Sequence, residues 1–422
     1  MRPWMRSTEE ETRLELRRAS VRALGQDPPD PQAEEDVLRY CESPYRVPRV
    51  PAPVLPLPEE PHLVDWRRYA GEAGDDPFAY LRDRLPQLAI PVREGISKSG
   101  AYGEVMRRGA PFAAENFGGR LELSRPGSLR LLIHPHPAGA LPVLATADRR
   151  DFETLLCALA CRSEPQPVSL SVNAEIIAGL VNWDRVARYR AAWAAGVDPY
   201  RAMTGWPEEQ ARVAASERGQ FFDRLLLVCD RPYSGVTAAA LGLPLTEDEW
   251  LERSARLRIE HEFAHYATRR IFGAMSLNLF DETLADLLGV THALGRFEAS
   301  WFLRFLGLEE WPEVREDGRV HTYTKGLSPP AFTLLCSVVV RAARAIESLA
   351  RRRSRPDERE RLFLALASLG LDLLAADGVE GLFEEAWTKT EGFLGVAAGA
   401  AGQAGQAEPQ GRRSTSANFS LA

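Results

Sequence analysis

Residues 260–266 read Glu-His-Glu-Phe-Ala-His-Tyr, which sets two imidazoles, His261 and His265, four positions apart with the carboxylate of Glu262 between them. On an α-helix four residues advance the azimuth by about 400° and the axis by about 6 Å, so the two rings stand about 40° apart and can close on one ion. Glu262 sits about 100° round the helix from His261, beside that face, where a carboxylate acts on a water and leaves the coordination position alone. Two histidines hold zinc poorly, because a catalytic site usually adds a third protein ligand and leaves the fourth place to water. Downstream comes Asp281-Glu282-Thr283-Leu284-Ala285-Asp286. A helix-turn-helix brings Glu282 back as the third ligand, and Asp286, at i+4 from Glu282, then accepts the free N–H of a ligand imidazole and fixes its tautomer. With 7 histidines and 59 acidic residues in 422 positions, random placement gives roughly 0.016 matches to the short pattern, treating every acid as Glu. The bland alternative is two helix histidines that pack or pair with acids. The downstream acidic pair favours the metal over it.

Those residues need elements to position them. Thr246 with Glu247 and Glu249 reads as a helix start and Gly273 as its stop, so one helix is expected over 246–273. A second begins near Asn278 or Asp281, and residues 331–350 and 357–376 carry two further helical patterns with no strand between them. Upstream, residues 128–136 and 140–146 look like strands around a Pro-Ala-Gly turn, with a helix near 149–161. Residues 221–229 read as a buried strand ending at Asp230-Arg231-Pro232. The expected fold class is α+β, with a mixed α/β lobe over 62–245 and a mainly helical lobe over 246–396. Residues 1–40 read as a charged helical arm and the proline-rich residues 43–61 as an extended connector, so the compact body is expected to start near His62. Residues 397–422, rich in Gly, Gln and Ser, are expected to be a disordered tail.

Composition narrows the function. Apolar residues make up 45% and charged residues 26%, as in folded globular proteins. The 52 Lys+Arg against 59 Asp+Glu leave a net charge of −7, which gives no electrostatic grip on nucleic acid. The longest apolar run, 331–340, is half of what a membrane span needs. The N-terminus lacks the apolar core of a secretory signal, and five cysteines are too sparse for a disulfide framework, so a cytoplasmic setting with reduced thiols is expected. No nucleic-acid or membrane partner is expected, and oligomeric state is not legible. His134 and His136 alternate along a strand and face one side, with no carboxylate nearby at ligand spacing.

His-Glu-Phe-Ala-His with Asp-Glu-Thr-Leu-Ala-Asp downstream resembles the gluzincin branch of zincin metallopeptidases, the thermolysin-like group, in which a Glu within an ExxxD stretch on a following helix is the third ligand. That likeness covers residues 261–286. It implies a zincin-like active-site helix, His261, His265 and Glu282 as zinc ligands, Glu262 as general base and Asp286 as support. A wider set of stretches, 91–109, 181–186, 230–243, 265–273 and 281–290, is similar to an uncharacterised bacterial family of unknown function, which lends no substrate.

The chemistry implied is metal-assisted hydrolysis of a peptide or small amide, with Glu262 taking the proton of the attacking water and returning it to the leaving amine. The oxyanion needs a further donor, and Tyr266, His321 and Tyr323 are the candidates. Tyr266 stands four residues from Glu262; His321 and Tyr323 fall in a loop-like stretch. Their bland readings are a core tyrosine and solvated loop residues. Residues 221–229 are equally a core strand or the edge along which an extended peptide is held. Arg269 is placed to pair with Asp281 or Asp286 or to meet substrate. The leading expectation is a zinc-dependent peptidase. The alternatives are a non-catalytic binding or structural protein that keeps the zinc site, and an amidase or deformylating activity on a small molecule.

Overall fold

In the computed structural model, residues 8–25, 30–45, 55–353 and 355–391 are described. Two helices, Thr8–Ala23 (α1) and Pro31–Tyr40 (α2), come first, α2 being started by Asp30, whose carboxylate accepts the Gln32 and Ala33 N–H groups. They are not an arm outside the body. Val21 and Val37 are fully buried, Arg17 pairs with Asp372 at 2.6 Å, and the Ser20 hydroxyl donates to the Asp372 carbonyl at 2.6 Å. The charges that make α1 look solvated include Arg17, whose partner Asp372 lies 355 residues away, beyond any local pattern. Part of the proline-rich stretch, 46–54, and the whole 397–422 tail lie outside the described residues.

The sheet is built from Arg130–His134 (β1), Leu141–Thr146 (β2), Ala174–Val181 (β3) and Phe222–Cys229 (β4) in the order β1-β2-β4-β3. β2 and β4 run parallel, and the other two pairs are antiparallel. Side chains alternate between faces with the strand period of two. Leu144, Leu225 and Leu227 pack on Phe152 and Leu155 of the helix Arg149–Ala160 (α3), whereas Val143, Leu226 and Val228 pack towards Phe263 and Ala264. β4 is therefore interior, buried from Leu225 to Cys229 and paired on both sides, and it offers no edge to a ligand. The edge strands are β1 and β3.

Glu247–Phe272 (α4) starts at a capping box, Thr246 and Glu249 exchanging hydrogen bonds, and stops at Gly273 in the left-handed region. Leu279–Leu294 (α5) follows, capped by Asn278, and Pro329–Arg352 (α6) and Arg359–Leu369 (α7) come further along the chain. The single helix expected over 357–376 is broken at Gly370, where φ is +95°, and Leu371–Leu374 is a separate short turn. The fold is α+β, a small mixed sheet against a larger set of helices. All five cysteines are free thiols, and among the described residues no helix is long and apolar enough to cross a membrane.

One glycine lets α4 and α5 approach closely. A Cβ at Gly289 would stand 2.6 Å from the Leu257 carbonyl oxygen and 3.4 Å from His261 Cβ. Gly289→Ala must push the helices apart, at a cost of about 1–3 kcal/mol for the overpacking. Chemical denaturation should show that loss, together with weaker binding of any metal between the helices. A variant as stable as the parent would refute the close-packing role.

Candidate metal centre

The helical spacing read from the sequence is realised in three dimensions. His261 and His265 lie on one face of α4, each 6% exposed, with their Nε2 atoms 3.2 Å apart. Glu282, on the first turn of α5 and 3% exposed, stands with Oε2 at 3.5 Å from His261 Nε2 and Oε1 at 3.4 Å from His265 Nε2. One donor atom from each residue falls within 4.8 Å of the others, and among the described residues this is the one group of that kind. Glu282 Oε2 is buried with no hydrogen-bond donor, an orphaned acceptor whose chemistry would fit a cation.

His261 Nδ1–H donates to Asp286 Oδ1 at 2.7 Å. Since an ionised Asp286 only accepts, that bond puts the proton on Nδ1 and leaves the Nε2 lone pair facing Glu282. Asp286 is fully buried and also accepts from the Tyr233 hydroxyl at 2.5 Å and from Arg319 Nη2. Arg319 Nη1 donates to the Tyr233 hydroxyl at 2.8 Å, and Nη2 lies 3.8 Å from Glu282. Burial opposes ionisation of Asp286 most strongly, but Arg319 and His261 together hold its pKa below the usual range. Glu282 is likewise held down against its burial, by His265, His261 and Arg319. With no metal present, burial disfavours the His265 cation, yet Glu282, Glu262 and Asp281 outweigh it and lift its pKa to about 9.

Glu262 is half-buried on the flank of α4, close enough for its charge to act on His265 and on Arg258. Of the three oxyanion candidates, only Tyr323 reaches the cluster. Burial pushes its phenol up, Arg319 opposes that, and the neighbouring Glu282 charge adds to it, so the hydroxyl stays an O–H donor. Tyr266 faces elsewhere: its hydroxyl donates to Glu60 at 3.0 Å and accepts from Arg270 at 2.7 Å, because one residue past His265 the helix has turned about 100°. His321 is exposed, its Nε2 3.2 Å from the Arg315 carbonyl and its ring stacked on Phe332, although it shares the short helix Val320–Tyr323 with Tyr323. Arg269 is exposed, and the arginine on Asp286 is Arg319 instead.

The start of α5 is pinned from the N-terminal helices. The Tyr40 hydroxyl accepts the Leu279 N–H at 2.9 Å and donates to the Tyr323 carbonyl at 3.1 Å. The Tyr45 hydroxyl donates to Asp281, whose carboxyl is raised to about 6, chiefly by burial. Arg319, Tyr233, Tyr40 and Tyr45 were not singled out by sequence reasoning, since each lies on another element and nothing in its own neighbourhood marks it.

An α+β fold that buries a His-His-Glu cluster between two adjacent helices is the class this chain represents. Residues 23–378 match a family of unknown function (DUF7005), and the chain belongs to that family. No curated protein and no solved structure matches it.

Proposed function

We propose that the chain is a zinc-dependent hydrolase, a peptidase acting on a peptide or small amide. The convergence of His261, His265 and Glu282, with Asp286 fixing the His261 tautomer, is the observation that carries this reading. A divalent ion held there supplies Lewis acidity and lowers the pKa of water towards about 7; imidazole and carboxylate donors suit zinc. Glu262, outside the ligand set and half-buried, takes the proton of the attacking water and passes it to the leaving amine. Tyr323 supplies an O–H donor on the Glu282 side. The edge of β3, which packs beside α4, is available to an extended peptide. The near-complete burial of all three ligands favours one second reading, a structural zinc that staples α4 to α5 without turnover.

Metal titration of chelator-stripped protein tests the site. One equivalent of zinc should bind, and none in His265→Ala. Because a metal must displace the His265 proton, affinity should rise about tenfold per pH unit until pH reaches about 9. The metal-free fold moves the other way. The folded pKa of His265 is raised above its ordinary 6.5, so its stabilising pairing with Glu282 is complete below pH 6.5 and is lost as pH rises through about 9. Stoichiometric zinc in His265→Ala, or affinity indifferent to pH, would reject the ligand assignment.

A further inference from the structure

A second polar cluster lies on another face of the same two helices, Glu260 standing about 100° round α4 from His261. Glu260, 7% exposed, pairs with His134 Nε2 at 3.0 Å, so the β1 histidine that had no carboxylate at ligand spacing in the sequence has one in space. No lysine or arginine among the described residues pairs with Glu260, and its second oxygen stands 3.9 Å from His292 Nδ1, beyond hydrogen-bond reach. Beside it is a partly enclosed cavity of about 80 Å³ whose polar lining is Glu260, His136, His292, Arg359 and Glu360, with apolar walls that include Ile271, Leu288 and Phe363.

The hydrogen bonds assign each polar group a role. His136 Nδ1 accepts the Ala138 N–H at 3.0 Å, so in the neutral ring Nε2 carries the proton and donates. Burial keeps that ring neutral, its pKa lowered to about 4. His292 Nδ1 lies 3.1 Å from the Leu288 carbonyl and donates to it, which leaves Nε2 as an acceptor. Arg359 Nε is buried with no hydrogen-bond partner. These assignments argue against a second metal centre, because His136 Nε2 is protonated and His292 Nδ1 is already committed. The cavity instead offers acceptors, Glu260 Oε2 and His292 Nε2, together with donors, His136 Nε2–H and the Arg359 guanidinium.

We infer that this cavity binds a small α-amino acid, its ammonium held by Glu260 and its carboxylate by Arg359 and His136. The volume, about half that of an engineered cavity that accepts benzene, limits the ligand to the smallest side chains, those of glycine or alanine. The inference does not depend on metal or turnover at the first site.

Calorimetric titration of the full chain with L-alanine tests it, with propionate and ethylamine as the two half-ligands. Alanine should bind saturably and each half-ligand at least tenfold more weakly. Glu260→Gln should weaken alanine at least tenfold. Because that residue is buried and its substitution endangers folding, Arg359→Gln at the half-buried rim carries the same expectation. Alanine should bind equally to zinc-loaded and chelator-stripped protein, which separates this cavity from the metal ligands. No saturable alanine binding, half-ligands as tight as alanine, retention in Arg359→Gln, or alanine binding lost on chelation would each overturn the inference.

Discussion

Glu262→Gln should leave zinc content unchanged and slow hydrolysis by about a hundredfold to ten-thousandfold, the range that a positioned general base contributes. The amide has nearly the shape of the carboxylate but takes no proton from water at neutral pH. Glu262 is not among the three clustered donors, so the substitution leaves His261, His265 and Glu282 in place. Elemental analysis and a peptide-cleavage assay on the same preparation check both halves. Full metal with activity within tenfold of the parent would reject Glu262 as the base. Full metal in a parent that cleaves no peptide or amide would favour the structural-zinc reading.

Arg319→Met should be the most damaging single change outside the ligands. It leaves two buried carboxylates, Asp286 and Glu282, without their guanidinium partner. Removing one side of a buried ion pair costs about 3–5 kcal/mol, unlike replacing the whole pair by apolar groups. Asp286 also orients His261, so metal affinity should fall about tenfold to a hundredfold. Arg319→Lys keeps the charge but loses the fork that reaches Tyr233 with one nitrogen and Asp286 with the other, and should fall between the parent and Arg319→Met. Urea denaturation and zinc titration of both variants measure this. A Met variant as stable and as tight-binding as the parent would show that Arg319 is dispensable.

What the sequence made legible follows the range of the interactions. His261, Glu262, His265, Glu282 and Asp286 sit on two consecutive helices, and helical spacing alone brings them to one place. Arg319 and Tyr233 reach the same point from a short helix start and from a turn after β4, and no periodicity links them to α4. β3 escaped notice because Gly179, at φ +81°, interrupts its pattern with a bulge between Ala178 and Leu180. Without a second strand to flank it, nothing in the sequence of β4 marks that strand as interior. Tyr266 failed as a candidate for a simpler reason: four residues from Glu262 is the right distance along the helix, but its hydroxyl is already taken by Glu60 and Arg270.

The docking of α1 and α2 carries a consequence for synthesis on the ribosome. These helices leave the ribosome well before their partners, since Ser20 and Arg17 meet Asp372, and Tyr40 meets the Tyr323 carbonyl, only after some 300 further residues have been made. Until then Val21 and Val37 have no complete apolar cover from the C-terminal helices, so the nascent chain must carry an unsatisfied hydrophobic segment over that interval. Asp286, too, waits for Arg319, and an ion captured earlier would meet imidazoles not yet locked in orientation.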